Sequence, residues 1–189
     1  MLDVTFICTG NRCRSPFAEV ALLRLGGSLP LRVTSCGTLD LAGEPSTSEM
    51  ISAAHALGLD LDPHRSRHLS LVNLEHADLV LGFELEHMAA AVVNGGAPAN
   101  KVFLLKEIVR LLEVVPPSPE GDLESRARAR IERAAELRSF DHTHRAGEGI
   151  SDPFGRSARV YAETAELIQD HCRRLIAGLF GVEALPHQT

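Results

Sequence analysis

Residues 2–16 read Leu2-Asp3-Val4-Thr5-Phe6-Ile7-Cys8-Thr9-Gly10-Asn11-Arg12-Cys13-Arg14-Ser15-Pro16, and this stretch decides the fold. Leu2–Cys8 is a run of β-branched, aromatic and aliphatic side chains of strand length. Gly10 and Asn11 interrupt it. From Ser15 to about Gly26, Phe17, Val20, Ala21 and Leu25 recur at helical spacing, and Pro16 suits a first helical turn. A buried strand that runs through a short loop into a helix opens a parallel α/β unit.

The same alternation continues outward. Leu31–Cys36 reads as a second strand and Gly37–Ser46 as a loop with two glycines and a proline. Ser48–Leu57 has helical patterning, stopped by Gly58. Leu79–Phe83 and Val102–Leu105 are short apolar strands on either side of a helix over Leu85–Val93, which ends at Asn94-Gly95-Gly96. Lys106–Val114 is a helix closed by Pro116-Pro117, and Ala158–Phe180 is a long final helix. These elements predict one domain over 1–189, an α/β fold with a four-stranded parallel sheet flanked by helices on both faces. Right-handed crossovers then place ligand sites at the carboxyl ends of the strands. Residues 115–150 break the rhythm as a helical insertion, with Leu123, Ala127, Ile131, Ala134 and Leu137 on one face. Thr143–Gly149 is expected to be mobile.

Composition bounds the function. The chain has 189 residues, 44% hydrophobic, so it can bury a core and is not a disordered chain. No apolar run is long enough to span a bilayer. The opening MLDVTFIC has an acid and no basic segment, which argues for a cytoplasmic protein rather than a secreted one. A net charge of −6 disfavours non-specific nucleic-acid binding. Four cysteines, Cys8, Cys13, Cys36 and Cys172, are too sparse for a disulfide scaffold.

The chemistry concentrates in Cys8–Ser15. Cys8 ends a strand, and the loop behind it turns into a helix, so successive backbone N–H groups can converge on an anion. The helix N-terminus adds its positive end. Gly10 and Asn11 are residue types that tolerate left-handed backbone angles. Arg14 can reach back and grip an oxyanion bidentately, and Ser15 can donate to the Cys8 sulfur. All of these favour the thiolate and place a nucleophile beneath a phosphate-sized site. The spacing of Cys and Arg alone is weak evidence. Its setting between strand and helix, with Gly, Asn and Ser inside, is what makes it specific. Asp152, held by Pro153, is a second candidate, because an alkoxide or phenolate leaving group needs a proton.

The run FICTGNRCRSP resembles the signature of the low-molecular-weight protein tyrosine phosphatases. The likeness extends to Ser35-Cys36-Gly37-Thr38, His64-Arg65-Ser66-Arg67, Asp78-Leu79-Val80-Leu81 and Ser151-Asp152-Pro153-Phe154-Gly155, and it omits about 115–150. The resemblance implies that Cys8 attacks phosphorus to give a phosphocysteine. Arg14 and the loop Thr9, Gly10, Asn11, Arg12, Cys13, Arg14 and Ser15 would hold the phosphate, and Asp152 would serve as acid and then base. Asn11, Ser15 and Ser35 would support the loop. It implies no metal and no organic cofactor. The substrate would be a phosphotyrosine protein, as with relatives that act on bacterial tyrosine kinases, and inorganic phosphate would be the product. Cys13 is the expected redox partner of Cys8, protecting it by a reversible disulfide.

The sequence departs from the family where an aromatic wall, commonly Trp, follows the second strand. Here Leu39-Asp40-Leu41-Ala42 stands there, so Leu39, Leu41, Phe154 and the rim residue Arg12 are expected to wall the substrate. Tyrosine-specific relatives carry a bulky apolar residue at the Arg12 position, and the protein-arginine phosphatase a small Thr. Arg12 would repel a phosphoarginine guanidinium and stack on a phosphotyrosine ring. The insertion, just before Asp152, could shade the cleft.

A protein-arginine phosphatase remains the alternative within this reaction class, and a thiol-dependent arsenate reductase the alternative outside it. The latter needs relay cysteines after the third strand, and Gly82–Met88 has none. A non-catalytic phosphate-binding module would lack nucleophile or acid. His64 with His68, and His142 with His144, lack a third metal ligand and read as polar turns. Arg126, Arg128, Arg130 and Arg133 interleave with Asp122, Glu124, Glu132 and Glu136 as a solvated helix face. Cys36 and Cys172 are expected to be core.

Overall fold

A computed structural model of the chain describes residues 1–116, 121–140 and 147–181. Four strands, β1 (Leu2–Cys8), β2 (Leu31–Gly37), β3 (Leu79–Gly82) and β4 (Val102–Leu104), form one parallel sheet in the order β2-β1-β3-β4. Among the described residues six α-helices accompany them: α1 (Arg14–Gly26), α2 (Ser48–Ala56), α3 (Leu85–Val93), α4 (Leu105–Val114), α5 (Leu123–Phe140) and α6 (Ala158–Phe180).

Side-chain alternation along each strand builds two cores. Val4, Phe6, Leu79, Leu81 and Phe103 face the larger one, shared with α1, α2, α4, α5 and α6. Ile7, Cys36, Val80 and Val102 face a smaller one with Ala91 of α3 and with Leu69, Leu74 and Ala77. Both faces are covered, which is why the strands read as nearly continuous apolar runs. The chain leaves central β1 for β2 on one side and returns through β3 on the other. The carboxyl end of β1 is therefore the switch point at which such sheets bind ligands.

Element ends differ from the sequence reading by a residue. Leu105 opens α4 instead of closing β4, because Glu107 accepts from Leu104 N at 3.1 Å at the helix entry. Phe83 leaves β3, and its carbonyl instead accepts from Ile150 N at 2.7 Å. Gly58 stops α2 at φ 71°.

The insertion corrects one expectation at Arg130 and, for its helix alone, a second. Its helix has the expected apolar face, with Ala127, Ile131 and Ala134 buried. However, Arg130 is buried and does not belong to the solvated face, whereas Arg128 stays partly exposed and is held by ion pairs. Arg128 grips Asp78 bidentately at 2.8 and 3.0 Å and also bonds Glu124, while Arg130 is buried on the Leu112 and Val115 carbonyls. Nor does α5 shade the carboxyl ends of the strands. Asp78 precedes β3, and the Val102 and Ala99 carbonyls that accept from Arg138 open β4 or precede it, so α5 is tied to the opposite end of the sheet. Pro117 and most of the stretch expected to be mobile, with His142 and His144, lie outside the described residues.

Candidate active site

The loop from Cys8 to Ser15 is built to enclose an anion at the end of β1. Asn11 has φ 50°, a left-handed angle that Asn tolerates better than most residues. Gly10 does not adopt such an angle. Its need is for space, since a methyl group there would stand 3.1 Å from Leu41 Cδ1. Gly37 is more tightly constrained, because a side chain would come within 2.9 Å of backbone at Asn11 and Thr9.

Asn11 is buried and fully engaged. Its Nδ2 donates to Ser15 Oγ at 2.9 Å and to Ser35 Oγ at 2.8 Å, and its Oδ1 accepts from Arg67 N at 2.8 Å. Ser35 passes its own hydrogen to Glu19 at 2.5 Å. Ser15 Oγ, having accepted from Asn11, has one hydrogen to share between Cys8 Sγ at 3.0 Å and the Cys36 carbonyl at 3.2 Å. A thiolate at Cys8 would draw that hydrogen, because charge-assisted bonds are the stronger ones. No side chain caps α1, whose first turn therefore keeps its N-terminal charge for a ligand.

Arg14 is fully buried on the Phe83 ring side of this loop, 5.8 Å from the ring centroid. Nη1 donates to Glu84 at 2.5 Å and to the Ile150 carbonyl at 2.8 Å. Nη2 donates to Asp152 at 2.6 Å and more weakly to Thr9 Oγ1 at 3.4 Å. Its Nε is a buried donor with no partner among the described residues. A buried unpaired donor on a guanidinium costs stability unless an anion takes it up. Asp152 also accepts from Phe154 N at 3.1 Å through its other oxygen, which fixes the acid loop.

Above this floor lies a cleft of about 270 Å³ lined by Cys8, Thr9, Gly10, Arg12, Cys13, Leu39, Leu41, Asp152 and Phe154. The structure thus gathers the sequence-expected site residues in one place: these line the cleft, and Asn11, Arg14, Ser15 and Ser35 sit buried beneath it. Leu39 and Phe154 are half or more exposed. Arg12 does not project freely over the rim. Its Nε donates to the Pro45 carbonyl at 2.7 Å and its guanidinium lies 3.8 Å from Glu44. Cys13 is a buried thiol beside Thr47 Oγ1 at 3.4 Å, and burial pushes it up to about 12. Cys36 and Cys172 are fully buried core residues.

Several participants escaped the sequence reading. His64 is not a solvated turn residue: half-buried, it meets the Asn11 carbonyl at 2.7 Å through Nε2, and burial lowers its pKa. Glu19 backs Ser35. Glu84 and His87 stand at the entry to α3, the carboxyl end of β3. Two polar residues just after a central strand were the available signal.

The profile described as Low molecular weight phosphotyrosine protein phosphatase matches residues 3–136. The chain belongs to that family. Among relatives, the protein-arginine-phosphatase of Bacillus subtilis (strain 168) is 27% identical over 176 residues, 92% of this chain and 94% of its own. The low molecular weight protein-tyrosine-phosphatase Etp of Escherichia coli (strain K12) is 30% identical over 116 residues, 61% of this chain and 76% of its own. The crystal structure of a low molecular weight protein tyrosine phosphatase from T. tengcongensis superposes with a TM-score of 0.67 at 28% identity, covering 93% of this chain and 98% of that one. Asp152 lies beyond the matched stretch, so its place in this low molecular weight phosphatase rests on the contact with Arg14.

Proposed function

We propose that this chain hydrolyses protein phosphotyrosine through a phosphocysteine at Cys8. One observation carries the reading. Arg14 and Asp152, 138 residues apart, meet at 2.6 Å beside a cleft that Cys8 and Asp152 both line. An anion clamp, a nucleophile and a proton donor are thereby brought to one point.

The chemistry follows from these positions. The Cys8 thiolate attacks phosphorus, and the loop amides and Arg14 carry the charge of the equatorial oxygens. The ester oxygen departs with a proton from Asp152. Water, deprotonated by the Asp152 carboxylate, then attacks the phosphocysteine. Inorganic phosphate leaves, and the Ser15 hydroxyl takes up the returning charge on sulfur. No step calls on a metal or an organic cofactor. Apolar Leu39, Leu41 and Phe154 offer contact to a ring, which supports phosphotyrosine. The four cysteines are free thiols, which suits a reducing cytoplasm. No helix among the described residues is long and apolar enough to cross a membrane.

A second reading, hydrolysis of phosphoarginine, has its own support. Glu44 beside Arg12 offsets the rim cation that would repel a substrate guanidinium, and the Bacillus relative carries that activity in its name. Kinetics on matched phosphotyrosine, phosphoserine and phosphoarginine peptides, with Cys8→Ser as control, separate the two. We expect phosphotyrosine to lead phosphoarginine by at least about tenfold in kcat/KM, about 1.4 kcal/mol. Arg12→Thr should erode that lead. A wild type that prefers phosphoarginine establishes the second reading, and turnover by Cys8→Ser overturns both.

A further inference from the structure

His87 is a fully buried histidine placed where the end of β3 meets the phosphate loop. Its Nδ1 lies 3.0 Å from Glu84 N and 3.3 Å from Phe83 N. Both are backbone donors, so Nδ1 must be the unprotonated acceptor. The ring hydrogen is then on Nε2, which stands 3.1 Å from Thr9 Oγ1 and donates to it. Arg14 Nη2 donates to the same oxygen at 3.4 Å. A hydroxyl oxygen has two lone pairs, and these two donors occupy both. The Thr9 hydrogen therefore has to be given away, and Thr9 lines the cleft beside Cys8.

We infer that His87 is a positioning residue which turns the Thr9 hydroxyl into a fixed donor toward the oxyanion bound in the cleft. This rests on the reading of the loop as an oxyanion site. Thr9 would then add one side-chain donor to the backbone amides and Arg14, oriented before substrate arrives, and so cost no reorganisation during reaction. The tautomer is secure through the neutral range. Burial and the neighbouring Arg14 cation lower the His87 pKa to about 4, against the opposing pull of Glu86 and Asp152. Glu84 and Glu86 bring carboxylate oxygens close to the ring, but both ring nitrogens are already committed to protein partners, so His87 is not a free metal ligand.

The discriminating variant is His87→Asn. The asparagine oxygen takes the place of Nδ1 and keeps the bonds to the Phe83 and Glu84 amides, while its amide is too short to reach Thr9. Thr9→Val removes the hydroxyl directly, and the double variant closes the cycle. The readouts are kcat/KM for para-nitrophenyl phosphate and the dissociation constant of inorganic phosphate by calorimetry, with a thermal melt of each variant. We expect His87→Asn to lose about tenfold in kcat/KM and several-fold in phosphate affinity. The double variant should lose no more than Thr9→Val alone. Wild-type behaviour of His87→Asn, or losses that multiply in the double variant, would overturn the inference while leaving the phosphatase reading intact. A wild type that binds no inorganic phosphate would overturn both.

Discussion

At Asp152 the geometry makes a demand on the chemistry. One oxygen is held by Phe154 N and the other by Arg14, so the Arg14 contact must loosen for Asp152 to hand a proton to substrate. Asp152→Asn should therefore lower kcat/KM, which reports the phosphorylation of Cys8, steeply, by roughly 10²–10⁴-fold, for an alkyl or tyrosyl leaving group that needs protonation. It should lower it far less for para-nitrophenolate. Equal losses on the two substrates would assign the acid elsewhere. That Cys8, Arg14 and Asp152 meet at one site was legible from residue type and order, because the proposed role gives each a chemical reason to be there. The partners of Arg14 and Thr9 were not. Glu84 and His87 look like ordinary polar residues of a helix entry until folding sets them against residues 70 and 78 positions away.

The phosphate loop behaves as one element. Asn11, Ser15, Ser35, Glu19, Arg67 and His64 form a continuous polar network under it, which holds the left-handed Asn11 in place. Cys8 and Cys13 line the same cleft, and Cys13 stays a thiol because of its burial. We expect peroxide to oxidise Cys8 first, and Cys13 to close a disulfide onto it in a slower step that speeds up with rising pH. Cys13→Ser should then be inactivated irreversibly, whereas wild type recovers on adding dithiothreitol. Equal recovery of the two would mean that Cys13 only packs beside Thr47. The helices were readable to within a residue from apolar period and stop signals. The placement of α5 was not, because a run of alternating Arg and Glu does not say that Arg128 will find Asp78 or that Arg130 will be buried on two carbonyls.

For the whole molecule, buried histidines tie stability to pH. His87 falls from the ordinary 6.5 to about 4, and burial lowers His64 and His171 as well. The unfolded chain therefore binds more protons than the folded one between these values, and stability rises with pH across that window. It is fully present above about pH 6.5 and drains as pH falls toward 4, with His87 alone contributing on the order of 3 kcal/mol at the limit. Urea midpoints should fall from pH 7 to pH 4.5, and His87→Asn should flatten that slope. An unchanged slope would show that His87 is already protonated in the fold.

A covalent phosphoryl group at Cys8 is the central step of the proposed reaction, and one measurement addresses it directly. Para-nitrophenyl phosphate needs little help from an acid to phosphorylate the enzyme, but hydrolysis of the intermediate needs Asp152 as base. Asp152→Asn mixed with this substrate and quenched in acid should therefore accumulate the intermediate. Mass spectrometry of the digest is predicted to find one phosphoryl group on the peptide containing Cys8, together with a burst of para-nitrophenolate stoichiometric with enzyme. A phosphoryl group on any other residue, or steady turnover with neither burst nor modified peptide, would contradict the account.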